Sequence, residues 1–166
     1  STSAWTGRRR EAMHAGTPLS TAPARGVING GAHRYPLRVY YEDTDAGGIV
    51  YYANYLKFAE RARTEMMHLL EAGYAESVTS GKIAFAVRRC EVDYLTPARL
   101  DDVLEVRTTI SQTRGASMNS HQTVYRGDEE LARLEVELVC LNRDGCPARI
   151  PNDLKNALQS LTSPSS

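Results

Sequence analysis

The chain has no excess charge of either sign: 20 lysines and arginines are matched by 20 aspartates and glutamates over 166 residues. No global field therefore draws it to nucleic acid or to an anionic membrane. It also lacks an apolar run of signal-peptide or transmembrane length, which argues against a membrane-embedded protein. Its three cysteines, Cys90, Cys140 and Cys146, are odd in number and form no Cys-x-x-Cys pair, which argues against a disulfide scaffold or a zinc site. His14, His33, His68 and His121 are scattered without ligand spacing. The expectation is a metal-free, cytoplasmic protein. No internal repeat and no Walker loop are present.

What is present is ordinary globular composition, 42% hydrophobic and 24% charged, enough for one domain with a real core. The charge is unevenly spread, with Arg8, Arg9, Arg10, Arg25 and Arg34 opposed only by Glu11 in residues 1–34. That stretch is rich in Ala, Gly, Ser, Thr and Pro without a sustained apolar period, so it reads as a disordered extension. An arginine-rich, acid-poor start also fits a transit peptide or a phosphate contact.

From Leu37 to Glu42 apolar and polar residues alternate, the period of a half-buried strand. From about Ala53 the spacing becomes helical, with Tyr55, Ala59, Ala62, Met66 and Leu69 on one face and Arg61 and Glu65 available to pair on the other. Gly73 suits the stop. Period two then returns over Phe85 to Leu95, Leu104 to Ser111, Ala116 to Arg126 and Leu134 to Cys140. A parity switch near Arg88 and Arg89 indicates a bulge. A short helix is expected from Pro151, with Leu154, Leu158 and Leu161 on one side. The order of strand, long helix and four more strands is α+β, five mainly antiparallel strands on one helix. The sheet's other face and edges would need cover, which favours a dimer.

Between the first strand and the helix lies Asp43-Thr-Asp45-Ala-Gly47-Gly48. A helix start presents unpaired N–H groups and roughly half a positive charge, suited to polarising a carbonyl beside a carboxylate. Asp43 reads as a turn or cap residue. Asp45 stands before Ala46, Gly47 and Gly48, where a ligand can approach the backbone; structural and functional roles are both open on pattern alone. A calcium loop read from Asp43 would need an oxygen ligand where Gly47 stands and a glutamate where Asn54 stands. Gly115-Ala-Ser117-Met-Asn119 lacks the last glycine of a nucleophile elbow.

The run from Val39-Tyr-Tyr-Glu-Asp-Thr-Asp-Ala-Gly-Gly through Ile49-Val-Tyr-Tyr-Ala-Asn-Tyr-Leu-Lys-Phe to Ala59-Glu-Arg-Ala-Arg-Thr-Glu65 resembles the Tol-Pal-associated acyl-CoA thioesterases, relatives of 4-hydroxybenzoyl-CoA thioesterase. The resemblance continues through Phe85-Ala-Val-Arg-Arg89, Tyr94-Leu-Thr-Pro-Ala-Arg-Leu-Asp-Asp102 and Thr113-Arg-Gly-Ala-Ser117, covering about residues 35–150. It implies a hotdog-fold thioesterase domain over 35–150, between an extension at 1–34 and a short helix and tail at 151–166. It implies an acyl-CoA substrate, no metal or cofactor, and a homodimer that can stack into a tetramer, with active sites shared between protomers.

The resemblance assigns the catalytic carboxylate to Asp45, as nucleophile or general base. The oxyanion donor falls on the backbone N–H of Tyr52, and Gly48 is a substrate-binding position whose missing side chain leaves room for the thioester. Arg114 and Ser117 are the candidates for coenzyme A phosphates, with Arg88 and Arg89 as alternatives. Relatives usually carry histidine where this chain has Tyr52; a backbone donor survives that change, while a side-chain role need not. The competing reading is a non-catalytic module that holds acyl-CoA or acyl carrier protein beside envelope or phospholipid machinery. Dehydratase or isomerase chemistry on the same fold generally wants a histidine near the helix start, where none stands.

Overall fold

The computed structural model describes residues 24–70 and 74–162. Six strands form one antiparallel sheet: β1 (Val27–Asn29), β2 (Ala32–Arg38), β3 (Ala84–Tyr94), β4 (Val103–Thr113), β5 (Ser117–Arg126) and β6 (Glu129–Leu141), in the order β1-β2-β4-β5-β6-β3. Helix α1 (Asn54–Leu70) packs on one face, followed by α2 (Tyr74–Thr79), and α3 (Asn152–Gln159) comes last.

The sheet has one strand more than the five expected, and the difference lies at its start. Residues 24–34, assigned by composition to the extension, include β1 and the beginning of β2. Gly30 and Gly31 both have positive φ, +62° and +77°, which permits the tight two-residue turn whose twist matches a hairpin. Pro36 pairs with Glu105 of β4 but lies beyond the reach of β1, which ends its pairing at Arg34. Its missing N–H therefore leaves no gap in the outer ladder. Strand β2 stops at Arg38, and Tyr41–Asp43 forms a 3-10 turn rather than the strand end expected there. Asp43 draws the backbone round by accepting the Tyr40 N–H at 2.8 Å. Residues 1–23 of the expected extension and the proposed stop at Gly73 lie outside the described residues.

Helix α1 buries Tyr55, Phe58, Ala59, Ala62, Met66 and Met67. Leu69, expected on that face, is 40% exposed; the stripe passes instead to Leu70, which packs against the core. The small Ala59 lets the sheet close on the helix backbone, where buried Gln122 of β5 donates its amide to the Ala59 carbonyl at 2.9 Å. Glu65 meets Arg25 at 4.0 Å rather than its helix neighbour Arg61. Helix α2 was not anticipated, being too short at six residues to show a period.

Leu104, Val106 and Ile110 of β4, Met118 and Val124 of β5, and Leu134, Val136 and Leu138 of β6 form the buried core with α1. The bulge of β3 falls between Val87 and Arg89, as the parity switch indicates. Leu154, Leu158 and Leu161 join the same core, and Ile110 of β4 donates its N–H to the Leu161 carbonyl at 2.8 Å. The opposite face of the sheet does not need apolar cover. It carries Glu105 with Arg107 and Arg88 with Glu137 as ion pairs, and His121 hydrogen-bonded to Glu135. The long edge of β3, which among the described residues pairs only with β6, is left open and exposes Val87 and Tyr94.

Candidate active site

Asp43 and Asp45 have separate environments. Asp43 is buried, 7% exposed, and its carbonyl oxygen accepts both the Tyr51 N–H and the Asn54 side-chain amide at 2.9 Å. It fastens the segment before α1 to the 3-10 turn. Thr44 then pairs with Val50 in an isolated bridge, and the chain between them turns outward with Asp45 at its base. Asp45 gives its N–H to the Ile49 carbonyl at 2.9 Å and accepts the Gly48 N–H on its own carbonyl at 3.0 Å.

The exposed Asp45 carboxylate is held by one contact, the Gly47 N–H on Oδ1 at 2.8 Å. Among the described residues nothing donates to its other oxygen. Gly48 has φ +77° and a Cβ there would meet no atom within 4 Å. Its lack of a side chain thus serves the left-handed backbone rather than relieving crowding within this chain.

Tyr52 lies two residues before the first helical residue, Asn54. Among the described residues no acceptor takes the Tyr52 N–H, so it remains available at the positive end of α1. The Tyr52 ring is 61% exposed and stands in a tyrosine cluster that the sequence reading did not identify. Its centroid is 4.8 Å from that of Tyr51 and 6.2 Å, edge-on, from that of Tyr94. The Tyr94 hydroxyl donates to the Tyr52 carbonyl at 2.9 Å, and Tyr55 accepts the Ala98 N–H at 3.0 Å. Burial raises the Tyr94 phenol pKa, with further upward pushes from Cys90, Tyr52 and Tyr55. Tyr94 thus stays a protonated donor.

The loop containing Asp45 rests on residues 96–102. Val50 donates to the Ala98 carbonyl at 2.8 Å, and Ile49 pairs with Arg99. Asp102 fixes that support by accepting the Arg99 N–H at 2.8 Å and the Arg126 guanidinium at 2.7 Å. Burial pushes the Asp102 carboxyl upward, but these donors and their charge outweigh it and hold the pKa below the ordinary value.

Arg114 and Ser117 do not join Asp45 within one chain. They close the β4–β5 hairpin, with the Arg114 N–H on the Ser117 carbonyl at 2.7 Å. Strand β5 runs from Ser117 to Arg126, the residue beside Asp102, so about 30 Å of strand separates the two ends. The Arg114 side chain donates to Gln112 at 3.0 Å and lies 3.8 Å from Glu137. Arg88 pairs with Glu137 and Arg89 with Glu91.

At that end of the sheet a cavity of about 490 Å³ opens between α1, α2 and the strands. Met67, Val78, Phe85, Met118 and Leu138 make most of its wall apolar, and Glu60, Arg63 and His68 supply polar groups. Its size lies within the usual range of small-molecule sites. Among the described residues, no group of three or more His, Cys, Asp and Glu side chains is arranged to hold a metal ion, and no helix is long and apolar enough to cross a membrane.

The comparisons agree with this architecture. The model of the thioesterase-like superfamily matches residues 39–158. Acyl-CoA thioester hydrolase YbgC of Escherichia coli O6:H1 is 46% identical over 110 residues, 66% of this chain and 81% of that protein. Acyl-CoA thioesterase YbgC of Haemophilus influenzae is 39% identical over 128 residues, 76% of this chain and 94% of that protein. The crystal structure of a probable thioesterase from Bartonella henselae aligns with a TM-score of 0.64 at 34% identity, covering 72% of this chain and 98% of that one.

Proposed function

Because the chain belongs to the thioesterase-like superfamily, we propose that Asp45 drives thioester cleavage at the start of helix α1, with the Tyr52 N–H receiving the oxyanion. The chain is an acyl-CoA thioester hydrolase of the α+β hotdog class. The carrying observation is an exposed carboxylate with one free oxygen, in a glycine loop fastened to a helix start whose leading N–H has no acceptor among the described residues.

Two routes suit this arrangement. As nucleophile, Asp45 adds to the thioester carbon, the C–S bond breaks, and the departing thiolate takes a proton from water. Water then hydrolyses the aspartyl-acyl anhydride to the free acid and regenerates the carboxylate. As general base, Asp45 takes a proton from water as its oxygen adds to the carbonyl, and returns it to the leaving thiolate. In both routes the carbonyl oxygen gains negative charge, which a helix-start N–H stabilises; losing one such donor typically costs about 3 kcal/mol.

Arg114 and Ser117 enter the site through a second copy. If two β3 edges pair antiparallel, the Tyr94 end of one strand meets the Ala84 end of the other. Arg114 lies near that Ala84 end, beside Glu137 and its partner Arg88. Arg114 of the partner subunit then faces the Asp45 loop and can bind coenzyme A phosphates. This makes a homodimer the catalytic unit, able to stack into a tetramer; the substrate is acyl-CoA, with acyl carrier protein as a further donor. The three unpaired cysteines suit a cytoplasmic setting.

Thiol release from a panel of acyl-CoAs tests the assignment. Asp45→Asn should abolish it and Asp43→Asn should retain folded, active protein in part; full activity of Asp45→Asn would remove the mechanism. Saturable acyl-CoA binding without thiol release from any chain would instead favour the binding-module reading.

A further inference from the structure

The largely apolar cavity between α1, α2 and the sheet contains a cation that has no ion-pair partner among the described residues. Arg63 lines it and is half-buried. Among the described residues its side chain donates one hydrogen bond, to a neutral acceptor, Gln122 Oε1, at 2.7 Å. Gln122 is itself fully buried and occupied, its amide donating to the Ala59 carbonyl at 2.9 Å and to Thr108 Oγ1 at 3.0 Å. The arrangement therefore fixes one side of the guanidinium and leaves it no internal anion.

Among the described residues no carboxylate lies within ion-pair distance of Arg63. Glu60, one turn earlier on the same wall, is exposed and accepts the Thr64 hydroxyl at 2.8 Å. Burial lowers the Arg63 pKa, while the Glu60 and Cys90 charges push it upward; a guanidinium remains charged under such influences. A desolvated charge without a partner is costly, and an anion entering the cavity would relieve that cost.

Most of the remaining wall is apolar, from Met67, Val78, Phe85, Met118 and Leu138, with His68 as a further polar group beside Glu60. The cavity thus offers largely hydrocarbon surface with Arg63 as its fixed cation. Its exposed rim includes Glu60 and Val87. Val87 belongs to the free edge of β3, where the proposed pairing brings the Asp45 end of a second copy.

We infer that this cavity receives the acyl part of the substrate and selects chains that end in a carboxylate, held by Arg63, so that the preferred substrates are coenzyme A monothioesters of dicarboxylic acids. This rests on the hydrolase reading above and adds the chemistry of the acyl group. The carboxylate replaces water at the guanidinium's open side, and the methylenes between it and the thioester cover the methionine, phenylalanine and leucine walls.

The test compares decanoyl-CoA with the coenzyme A monothioester of decanedioic acid, matched in chain length, using thiol release by the full chain. The expected result is a kcat/KM about tenfold or more in favour of the carboxylate-ended substrate. That ratio should collapse toward unity in Arg63→Met and persist in part in Arg63→Lys. Reading the ratio within each variant separates selectivity from general damage to the Arg63–Gln122 contact, and the wild-type ratio stands even if a variant fails to fold. Equal or better turnover of decanoyl-CoA by the wild type overturns the inference while leaving the hydrolase reading intact. Absence of thiol release from every thioester overturns both.

Discussion

The Tyr94 hydroxyl donates a 2.9 Å hydrogen bond to the carbonyl oxygen of Tyr52, joining the last residue of the edge strand to the segment that opens helix α1. The same Tyr94 ring also meets Tyr55 edge-on at 5.5 Å. The peptide next to the proposed oxyanion donor is therefore oriented by a side chain from the far edge of the sheet. Tyr94→Phe keeps the ring and removes the bond. Stability should fall by about 1 kcal/mol in urea denaturation, with kcat falling more than KM rises; unchanged kcat would mean that the bond does not position the Tyr52 peptide.

Tyr52 is assigned its role through the backbone. Tyr52→Phe should leave kcat/KM for a given acyl-CoA within about threefold of wild type, because the N–H and helix start are retained. A loss as large as that of Asp45→Asn would make the phenol itself part of the chemistry.

The separation of Arg114 from Asp45 within one chain predicts complementation. Asp45→Asn and Arg114→Ala chains, each defective alone, should regain activity when refolded together. Random pairing places an intact combination at about a quarter of the sites. Failure to regain thiol release, with mixed dimers demonstrated by mass spectrometry, would show that each chain works alone.

Gly48 holds the Asp45 loop in a left-handed turn. Gly48→Ala has space for its methyl group but strains the backbone, so it should cost about 1 kcal/mol in stability and slow turnover by loosening the carboxylate. Thermal unfolding and steady-state kinetics measure the two effects separately.

His33 makes acid stability measurable. Burial lowers its pKa, against upward pushes from its hydrogen bond to the Arg25 carbonyl and from the Glu65 charge. The Nε2–H donates to that carbonyl at 2.7 Å, while Nδ1 is buried without a partner among the described residues. The unfolded chain takes up a proton near pH 6.5 and the folded one only at lower pH. Stability from this residue is thus complete above about pH 6.5 and declines as pH falls toward the folded-state value. Denaturant midpoints between pH 7 and 5 should fall in wild type and fall less in His33→Gln.

The periodic parts of the fold were readable because one-sided burial imposes a pattern. Leu104, Val106 and Ile110 mark β4 by alternation, and Ala59, Ala62 and Met66 mark α1 by helical spacing. Strand β1 left no such mark: its three residues are exposed, and its existence depends on the turn at Gly30 and Gly31. Leu69 misled because α1 turns its stripe toward Leu70 in the last turn. At the site, the glycine motif drew attention to Asp45 and Tyr52. Tyr94 joins them only through sheet topology, and Arg63 acquires its setting from Gln122, 59 residues away.

The two sides of the sheet differ in their capacity for growth. One is finished by the three residues of β1, with Pro36 removing a donor from the strand behind it; the other presents the 11 residues of β3. A ribbon with one long bonding margin can double, but it offers no second such margin for a third copy. Under the proposed β3 pairing, the asymmetry between a three-residue strand and a full-length edge would act as a counting device, letting two copies join while guarding against fibrous propagation.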